Sequence, residues 1–230
     1  MLTRCLQRTR WHVTDNRVAA ALRWIAQAAA QAIHERGRFD LVLAGGNTPR
    51  AVYEGLAGVE ADWSKWHIWF GDERCLPIDN EERNSRMACR AWLDQSAIPA
   101  VQIHVIRAES GAEAAAEDYR TQLQGIGRFD LVLLGLGEDG HTASLFPGQM
   151  NENETADVVA VRQAPKPPAE RVSLSARRLS DTESVLFLVS GKSKREAVTA
   201  WQNGVAIPAA YICPAAGVDV LIAPESLQKS

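Results

Sequence analysis

A histidine and an aspartate follow an apolar run in the middle of the chain. The run 131–134 is long enough for a buried strand and too short for a stable helix. It leads into a glycine-rich turn that carries Asp139 and His141. Glycines allow positive φ and a close approach of the backbone to a ligand, and histidine can move protons near neutral pH. This turn predicts an acid/base site in which His141 is the base.

A second glycine-rich turn leads from an earlier strand into a helix. It consists of Gly45, Gly46, Asn47 and Thr48, and Pro49 suits the first turn of the helix that follows. Backbone N–H groups and the positive end of the helix dipole at such a start suit a phosphate. An ordinary tight connection is the alternative interpretation, because short glycine-rich turns are common.

Three charged residues, Asp72, Glu73 and Arg74, come directly after a third apolar strand. A charge cluster at a loop tip is often only solvated. The other interpretation is a guanidinium that binds phosphate or carboxylate and is oriented by its acidic neighbours.

Two lysines follow the buried strand 185–189, within the sequence Gly-Lys-Ser-Lys. The end of a Walker A loop looks similar, but Leu186 stands where that loop requires a glycine, which excludes a nucleotide triphosphatase of this type. Lys192 and Lys194 can still offer positive charge to an anion at a helix start.

The sequence patterns of metal sites and of serine nucleophiles do not occur in this chain. The remaining histidines, His12, His34, His67 and His104, are isolated, and no metal-ligand spacing occurs, so neither a metal nor a cofactor is predicted. No G-x-S-x-G turn for a serine nucleophile exists either.

Composition places the chain among globular proteins. It has 230 residues, of which 46% are hydrophobic and 23% charged, and its net charge of −3 gives no general attraction to nucleic acid or membranes. No signal-peptide core follows the basic N-terminus and no apolar run is long enough to span a membrane. Four cysteines (Cys5, Cys75, Cys89 and Cys213) are scattered, which favours a reducing cytoplasm. We expect a cytoplasmic monomer that acts on a small molecule.

Apolar runs alternate with helical patterns along the chain. Asp15 is the predicted N-cap of a first helix that ends at Gly37, and further helices follow Pro49 and cover 84–93, 112–123 and the segment up to Trp201. Strands are predicted over 11–14, 39–44, 66–70, 101–106, 131–134, 158–161, 171–174, 185–189 and 218–222. The pattern predicts one α/β domain over 1–230, with a mainly parallel sheet and helices on both of its faces.

One heptapeptide, GRFDLVL, occurs twice, at 37–43 and 127–133. Each copy ends in glycines. Two matching strands suggest that the turns 44–49 and 135–141 emerge as neighbours at the same carboxyl edge of the sheet.

Taken together, these blocks resemble 6-phosphogluconolactonases, in the wider family shared with glucosamine-6-phosphate deaminase/isomerases. The similar segments are AGGNTP (44–49), FGDERCLP (70–77), NSRMA (84–88), LGLGEDGHTASLFP (134–147), RVSLS (171–175) and GKSK (191–194). The resemblance implies a modified Rossmann-like sheet. It also implies hydrolysis of 6-phospho-D-glucono-1,5-lactone to 6-phosphogluconate in the oxidative pentose phosphate pathway.

The resemblance also implies roles for single residues. His141 would be the general base that activates water, and Asp139 would orient it. The GG-x-TP turn with Arg74, Arg171 and Lys194 would surround the phosphate and the sugar ring. Arg74 is also a candidate for stabilising charge in the transition state, and Asp72 is expected beside the substrate.

Two alternatives stay open. Amino-sugar phosphate deaminase/isomerases follow their D-G-H with a phenylalanine-asparagine-glutamate-proline turn, whereas Leu145 and Phe146 precede Pro147 here, so that carboxylate is missing. A catalytically silent sugar-phosphate-binding protein on the same fold is the second alternative. One departure from the lactonase pattern is Asn47, where a serine is common.

Overall fold

A computed structural model describes residues 6–151 and 153–227. Cys5 and the first residues of the basic N-terminus lie outside this range. Within it the strands are β1 (Thr9–Val13), β2 (Phe39–Leu43), β3 (Trp66–Phe70), β4 (Asp72–Arg74), β5 (Ile103–His104), β6 (Phe129–Gly135), β7 (Val158–Val161), β8 (Arg171–Leu174), β9 (Thr182–Val189) and β10 (Val218–Ile222). The α-helices are α1 (Arg17–Arg36), α2 (Asn47–Leu56), α3 (Asn84–Ala91), α4 (Ala112–Gln122), α5 (Ala176–Ser180) and α6 (Arg195–Gln202). No helix in the described part of the chain is long and apolar enough to cross a membrane.

Seven strands form one sheet in the order β1-β10-β9-β6-β2-β3-β5, and every neighbouring pair is parallel. Every residue of β2 is buried, as are the first six residues of β6, so both faces of the sheet centre are covered. Parallel sheets need this cover, and it explains why their strands are continuous apolar runs rather than alternating ones. The predicted α/β fold with a mainly parallel sheet is confirmed.

The repeated heptapeptide forms two adjacent strands. β2 pairs with β6 in parallel, with Leu41 opposite Leu131 and Val42 opposite Val132. The connections on either side of this pair run in opposite directions: β2 continues to β3, whereas β6 continues to β9. The carboxyl ends of β2 and β6 therefore lie at a topological switch point, where open α/β sheets hold their ligands.

The ends of α1 differ slightly from the prediction. Asn16, not Asp15, is the N-cap, because its side-chain oxygen accepts the backbone N–H of Ala19 at 3.1 Å. Gly37 ends the helix as predicted, with a φ of +74° and an N–H bonded to the Ile33 carbonyl.

Two segments, 101–106 and 72–74, have structures that differ from the prediction. The strand expected over 101–106 is reduced to β5, because a 3-10 helix (Ala100–Gln102) occupies the start of this range. Asp72–Arg74, expected to form a loop tip, is strand β4 in a second, antiparallel sheet with the order β4-β8-β7. Its partner β8 lies about a hundred residues further along the chain, so no local pattern indicates the pairing.

Candidate active site

The turn after β6 brings Asp139 and His141 together. Asp139 Oδ1 lies 2.5 Å from Nδ1 of His141 and accepts the His141 backbone N–H at 3.2 Å. The backbone N–H of Gly137 donates to the His141 carbonyl at 2.7 Å and closes the turn. Because Nδ1 faces the carboxylate, Nε2 is the ring nitrogen left for a reacting partner. The imidazole is 21% exposed, so it is held in place but remains accessible.

Asp139 is held in its ionised form by its neighbour. Burial pushes the pKa of Asp139 upward, but the hydrogen bond and the positive charge of His141 outweigh burial, so that the pKa lies below its usual value. A carboxylate in this position can stabilise an imidazolium ion. The His141 ring also packs against Phe146, with the ring centroids 4.9 Å apart.

Glycines make this turn possible. A Cβ at position 137 would lie 2.0 Å from His141 Nδ1 and 2.6 Å from Asp139 Oδ1, so any side chain there would separate the pair. Gly140 has a φ of +85°, and a Cβ on it would lie 2.7 Å from Cβ of Ile207. The glycines next to the predicted base are therefore steric requirements of its position.

The turn after β2 lies directly beside the turn after β6. A Cβ built on Gly135 would be 3.9 Å from the Gly45 carbonyl oxygen, which places the two turns in contact, as the repeated heptapeptide predicts. α2 begins at Asn47 after Gly46, whose φ is +104°, and within the described chain no side chain caps this helix start. Its first N–H groups therefore remain available to an anion.

Glu73 is buried completely and caps α3. Its Oε1 accepts the backbone N–H groups of Asn84 at 2.7 Å and Arg74 at 2.9 Å, and its Oε2 accepts that of Ser85 at 2.8 Å. Arg83 lies 3.5 Å from Oε2. A carboxylate at a helix N-terminus satisfies donors that would otherwise be unpaired and opposes the positive end of the dipole. The solvated interpretation of this charge cluster is wrong for Glu73.

Asp72, also buried, connects three of the segments around the site. Its Oδ1 accepts the side-chain amide of Asn84 at 3.0 Å, and its Oδ2 accepts the Ser144 hydroxyl at 2.6 Å. Asn84 packs so closely on the turn after β2 that a Cβ on Gly45 would lie 2.0 Å from its Oδ1. Asp72 therefore joins the start of α3 to the segment that follows His141. Asn84 in turn contacts the turn after β2.

Arg74 and Arg171 are cross-strand neighbours on β4 and β8. The Arg74 guanidinium donates to the Glu82 carbonyl. The buried Arg171 guanidinium lies over the Phe146 ring, 5.6 Å from its centroid. Phe146 thus contacts both Arg171 and the predicted base.

Lys194 ends a 3-10 helix (Lys192–Lys194) that follows β9. Burial lowers the pKa of its ammonium group, the negative charges of Glu138 and Asp139 oppose the shift, and the positive charge of Lys166 adds to it. Lys194 is therefore close to the turn that carries His141. The turns after β2, β6 and β9, and strand β4 after β3, all follow the carboxyl ends of strands in the parallel sheet.

Three residues of this arrangement, Glu73, Asn84 and Ser144, were not predicted as site residues. Asn84 and Ser144 occur in the segments NSRMA and GHTASLFP, so the resemblance contained a signal for them. Glu73 stands next to two predicted site residues, but its burial depends on the pairing of β4 with β8.

A cavity of about 1210 Å³ is lined by Phe146 and, among others, by Leu145, Met150, Val159 and Tyr211. None of the predicted site residues lines it. We assign the chemistry to the turns instead, because they carry the acid/base pair and the cations.

The described residues include no group of three or more histidine, cysteine and carboxylate side chains that could hold a metal ion. What they do contain is an imidazole with one nitrogen held by a carboxylate, an uncapped helix start and several cationic side chains. This arrangement can deprotonate water next to a bound anion.

Several known proteins resemble this chain. The family model described as glucosamine-6-phosphate isomerases/6-phosphogluconolactonase matches residues 13–221. The 6-phosphogluconolactonase of Mycobacterium leprae is 39% identical over 215 residues, which cover 87% of this chain and 86% of that protein. A probable chloroplastic 6-phosphogluconolactonase of Oryza sativa subsp. indica is 37% identical over 195 residues; the match covers 76% of this chain but only 60% of the rice protein.

The fold is shared with solved structures as well. The crystal structure of 6-phosphogluconolactonase from Thermotoga maritima superposes with a TM-score of 0.88 at 29% identity, covering 94% of this chain and 99% of that one. The match to the family model extends over most of the described residues and includes every residue predicted for the site. The chain belongs to the glucosamine-6-phosphate isomerase/6-phosphogluconolactonase family.

Proposed function

We propose that this protein hydrolyses 6-phospho-D-glucono-1,5-lactone to 6-phospho-D-gluconate in the oxidative pentose phosphate pathway. The observation that carries the proposal is the His141–Asp139 pair, 2.5 Å apart at the carboxyl edge of the sheet beside an uncapped helix start. Relatives named 6-phosphogluconolactonase that match most of the chain support the choice of substrate.

A lactone is already an activated ester, so its hydrolysis requires few catalytic groups. Hydrolysis needs a positioned base for water, a stabilised oxyanion and a clamp on the remote phosphate. The mechanism requires neither a covalent nucleophile nor a cofactor.

In the proposed mechanism, Nε2 of His141 takes a proton from the water that attacks C1. The ionised Asp139 stabilises the imidazolium ion formed in this step. Arg74 or backbone N–H groups of the turns stabilise the negative charge that develops on the carbonyl oxygen. When the bond between C1 and the ring oxygen breaks, the imidazolium returns a proton to that oxygen, and the acid product ionises in water.

The phosphate is bound by positive charge at the same edge. The start of α2, formed by Gly45, Gly46, Asn47 and Thr48, offers N–H groups, and Lys194 offers an ammonium group. Arg74 and Arg171 contribute further positive charge. Asp72 supports this edge indirectly, because its carboxylate oxygens accept hydrogen bonds from Asn84, which packs on the turn after β2, and from Ser144, which follows His141.

The alternative of an amino-sugar phosphate deaminase/isomerase has less support. The segment after His141 would have to supply a carboxylate, but Leu145 and Phe146 occupy it and are buried apolar residues. A silent sugar-phosphate-binding protein would need no oriented base, and the short contact between His141 and Asp139 favours catalysis over this alternative.

The decisive assay follows proton release from fresh 6-phosphogluconolactone against the spontaneous background. We expect acceleration by the enzyme and no turnover of glucosamine 6-phosphate in the parallel reaction. Turnover of the amino sugar would favour the deaminase. Calorimetric binding of 6-phosphogluconate with no acceleration of hydrolysis would favour the silent binding protein.

We also propose that the chain acts as a single-domain monomer in the cytoplasm. A phosphate ester is charged and does not cross membranes unaided, so the enzyme must share a compartment with the reaction that forms its substrate. Light scattering on the eluted protein should give a mass near 25.2 kDa, and cell fractionation should recover the activity with cytoplasmic markers. A dimer mass, or activity in another fraction, would contradict this proposal.

A further inference from the structure

The segment 163–170 is fixed by Arg171, the first residue of β8. Arg171 donates from Nε to the Pro168 carbonyl at 3.2 Å, and from Nη2 to the carbonyls of Lys166 at 3.0 Å and Pro167 at 2.9 Å. The backbone N–H of Ala164 donates to the Ala169 carbonyl at 2.9 Å and closes the base of the loop. A buried guanidinium that satisfies three carbonyls in this way holds the loop in one position.

Two observations connect the loop that carries Lys166 with the proposed active site. The first is a series of contacts: the Arg171 guanidinium that binds the Lys166 carbonyl lies over Phe146, and Phe146 packs against the ring of His141. The second is electrostatic: burial lowers the pKa of Lys194, the positive charge of Lys166 adds to this lowering, and the negative charges of Glu138 and Asp139 oppose it. The side chain of Lys166 itself is exposed.

Lysine is rare in this chain, which makes its positions informative. The chain has five lysines, at 65, 166, 192, 194 and 229, against twenty arginines. Three of the five lie in the two segments next to the proposed site. Among the ion pairs of the described residues, none includes Lys166 or Lys194, although most described arginines are paired.

Two unpaired ammonium groups held near each other repel, and a dianion between them removes that repulsion. A phosphate monoester carries a charge of about −1.5 to −2 near pH 7. Ammonium groups bind such an anion as mobile point charges, without the fixed geometry of a guanidinium.

We propose that Lys166 is a substrate-binding residue that, together with Lys194, binds the phosphate group of the lactone. Arg171 is then a positioning residue, because its hydrogen bonds fix the loop that contains Lys166. The inference rests on the proposed lactonase function and adds a residue and a loop to its phosphate site.

The test compares Lys166→Met with Lys166→Arg and with the charge-matched control Lys65→Met. Lys65 is also exposed, but it directly precedes β3 and therefore lies at the amino end of the strands, away from the carboxyl ends where the proposed site is. For Lys166→Met we expect KM for the phosphorylated lactone to rise about tenfold and kcat to stay within about twofold, as for loss of a charged hydrogen bond to substrate. Lys166→Arg should restore most of the lost affinity, and Lys65→Met should behave as wild type.

Binding of the product gives a readout that does not depend on turnover. By calorimetry, the Kd for 6-phosphogluconate should rise about tenfold in Lys166→Met, and increasing salt should weaken binding less in this variant than in wild type. Equal KM and Kd values for Lys166→Met and Lys65→Met would overturn the inference. A wild-type protein that fails to accelerate lactone hydrolysis would instead contradict the proposed function, so the two failures are distinguishable.

Discussion

At the scale of single residues, the site depends on how one imidazole is held. Asp139 fixes Nδ1 of His141, Phe146 covers one side of the ring, and Nε2 is left for the substrate. A histidine that is both oriented and partly exposed suits a general base, because geometry and access must be satisfied together.

Replacing the base tests the mechanism directly. His141→Asn removes the proton acceptor and keeps a smaller polar side chain. We expect kcat to fall by about 10²- to 10⁴-fold with little change in KM, measured by proton release from the lactone. Wild-type turnover in this variant would exclude His141 as the base.

Asp139 should act through the histidine and not on the substrate. Asp139→Asn removes the negative charge opposite the imidazolium and permits the wrong tautomer, so kcat should fall by about 10²-fold or more while KM changes little. Steady-state kinetics with the folding state checked by circular dichroism measures this. A rise in KM at constant kcat would show instead that Asp139 binds substrate.

At the scale of elements, the site is made of turns whose backbones are fixed by buried polar groups. Glu73 anchors the junction of β4 and α3 through three backbone N–H groups, and Asp72 connects that junction to the segment behind His141. Loops supported in this way keep their geometry without a ligand, so less ordering is needed when substrate binds.

The turn after β6 should not tolerate a side chain at position 137. In Gly137→Ala the new Cβ would lie 2.0 Å from His141 Nδ1, so the ring must move away from Asp139. Misplacing the base should lower kcat by about 10²-fold. Gly127→Ala is the control, because its Cβ meets no atom within 4 Å. Equal activity of the two variants would contradict the predicted turn geometry.

Glu73 should contribute to stability more than any surface acid. In Glu73→Gln an amide NH₂ group replaces one acceptor oxygen, leaving a buried backbone N–H without a partner, and the free energy of unfolding should fall by about 2 kcal/mol. Urea denaturation measures this, with Glu54→Gln as the control. Glu54 forms an exposed pair with Arg50, and its loss should cost less than about 0.5 kcal/mol.

At the scale of the whole molecule, the order of the strands decides which turns meet. From β2 the chain continues to β3 on one side of the seven-stranded sheet, and from β6 it continues to β9 on the other side. The two turns at this switch point are the predicted phosphate-binding turn after β2 and the turn after β6 that contains His141. The small antiparallel sheet then brings Arg171 and the loop 163–170 to the same edge. The site therefore combines segments that are more than a hundred residues apart in the chain.

The sheet edge at β3 and β5 should make stability depend on pH. The rings of His67, Trp69 and His104 stack there, near Asp40 and Arg38. Burial, with the neighbouring His67, lowers the pKa of His104 to about 4, and burial also lowers the pKa of His67. Between about pH 6.5 and 4 the unfolded chain therefore binds more protons than the folded protein, so stability should fall as the pH falls through this window.

His104→Phe keeps an aromatic ring against Trp69 and removes the titration. Its melting temperature should decrease less than that of wild type between pH 7 and pH 4.5, whereas the difference between the two proteins should be constant from pH 7.5 to 8.5. Calorimetric melting over this range is the measurement. Parallel pH profiles would show that His104 does not contribute.

Much of the fold and part of the site could be read from local patterns. Continuous apolar runs predict the buried parallel strands, because a strand covered on both faces needs apolar residues at every position. The glycines beside His141 and at 45–46 mark turns, because a tight turn leaves no space for a side chain. The repeated heptapeptide also indicated correctly that the turns after β2 and β6 are neighbours.

The partners of the buried polar groups could not be read in this way. Asp72 bonds Ser144 across 72 residues, and Arg74 lies opposite Arg171 across the second sheet. Propensity and periodicity extend over a few residues, whereas the burial of Glu73 and the position of Lys166 depend on where distant strands cross. The residue types predicted an acid/base turn beside a phosphate-type loop, and the packing of β4 against β8 decides which side chains support that turn and which remain free for substrate.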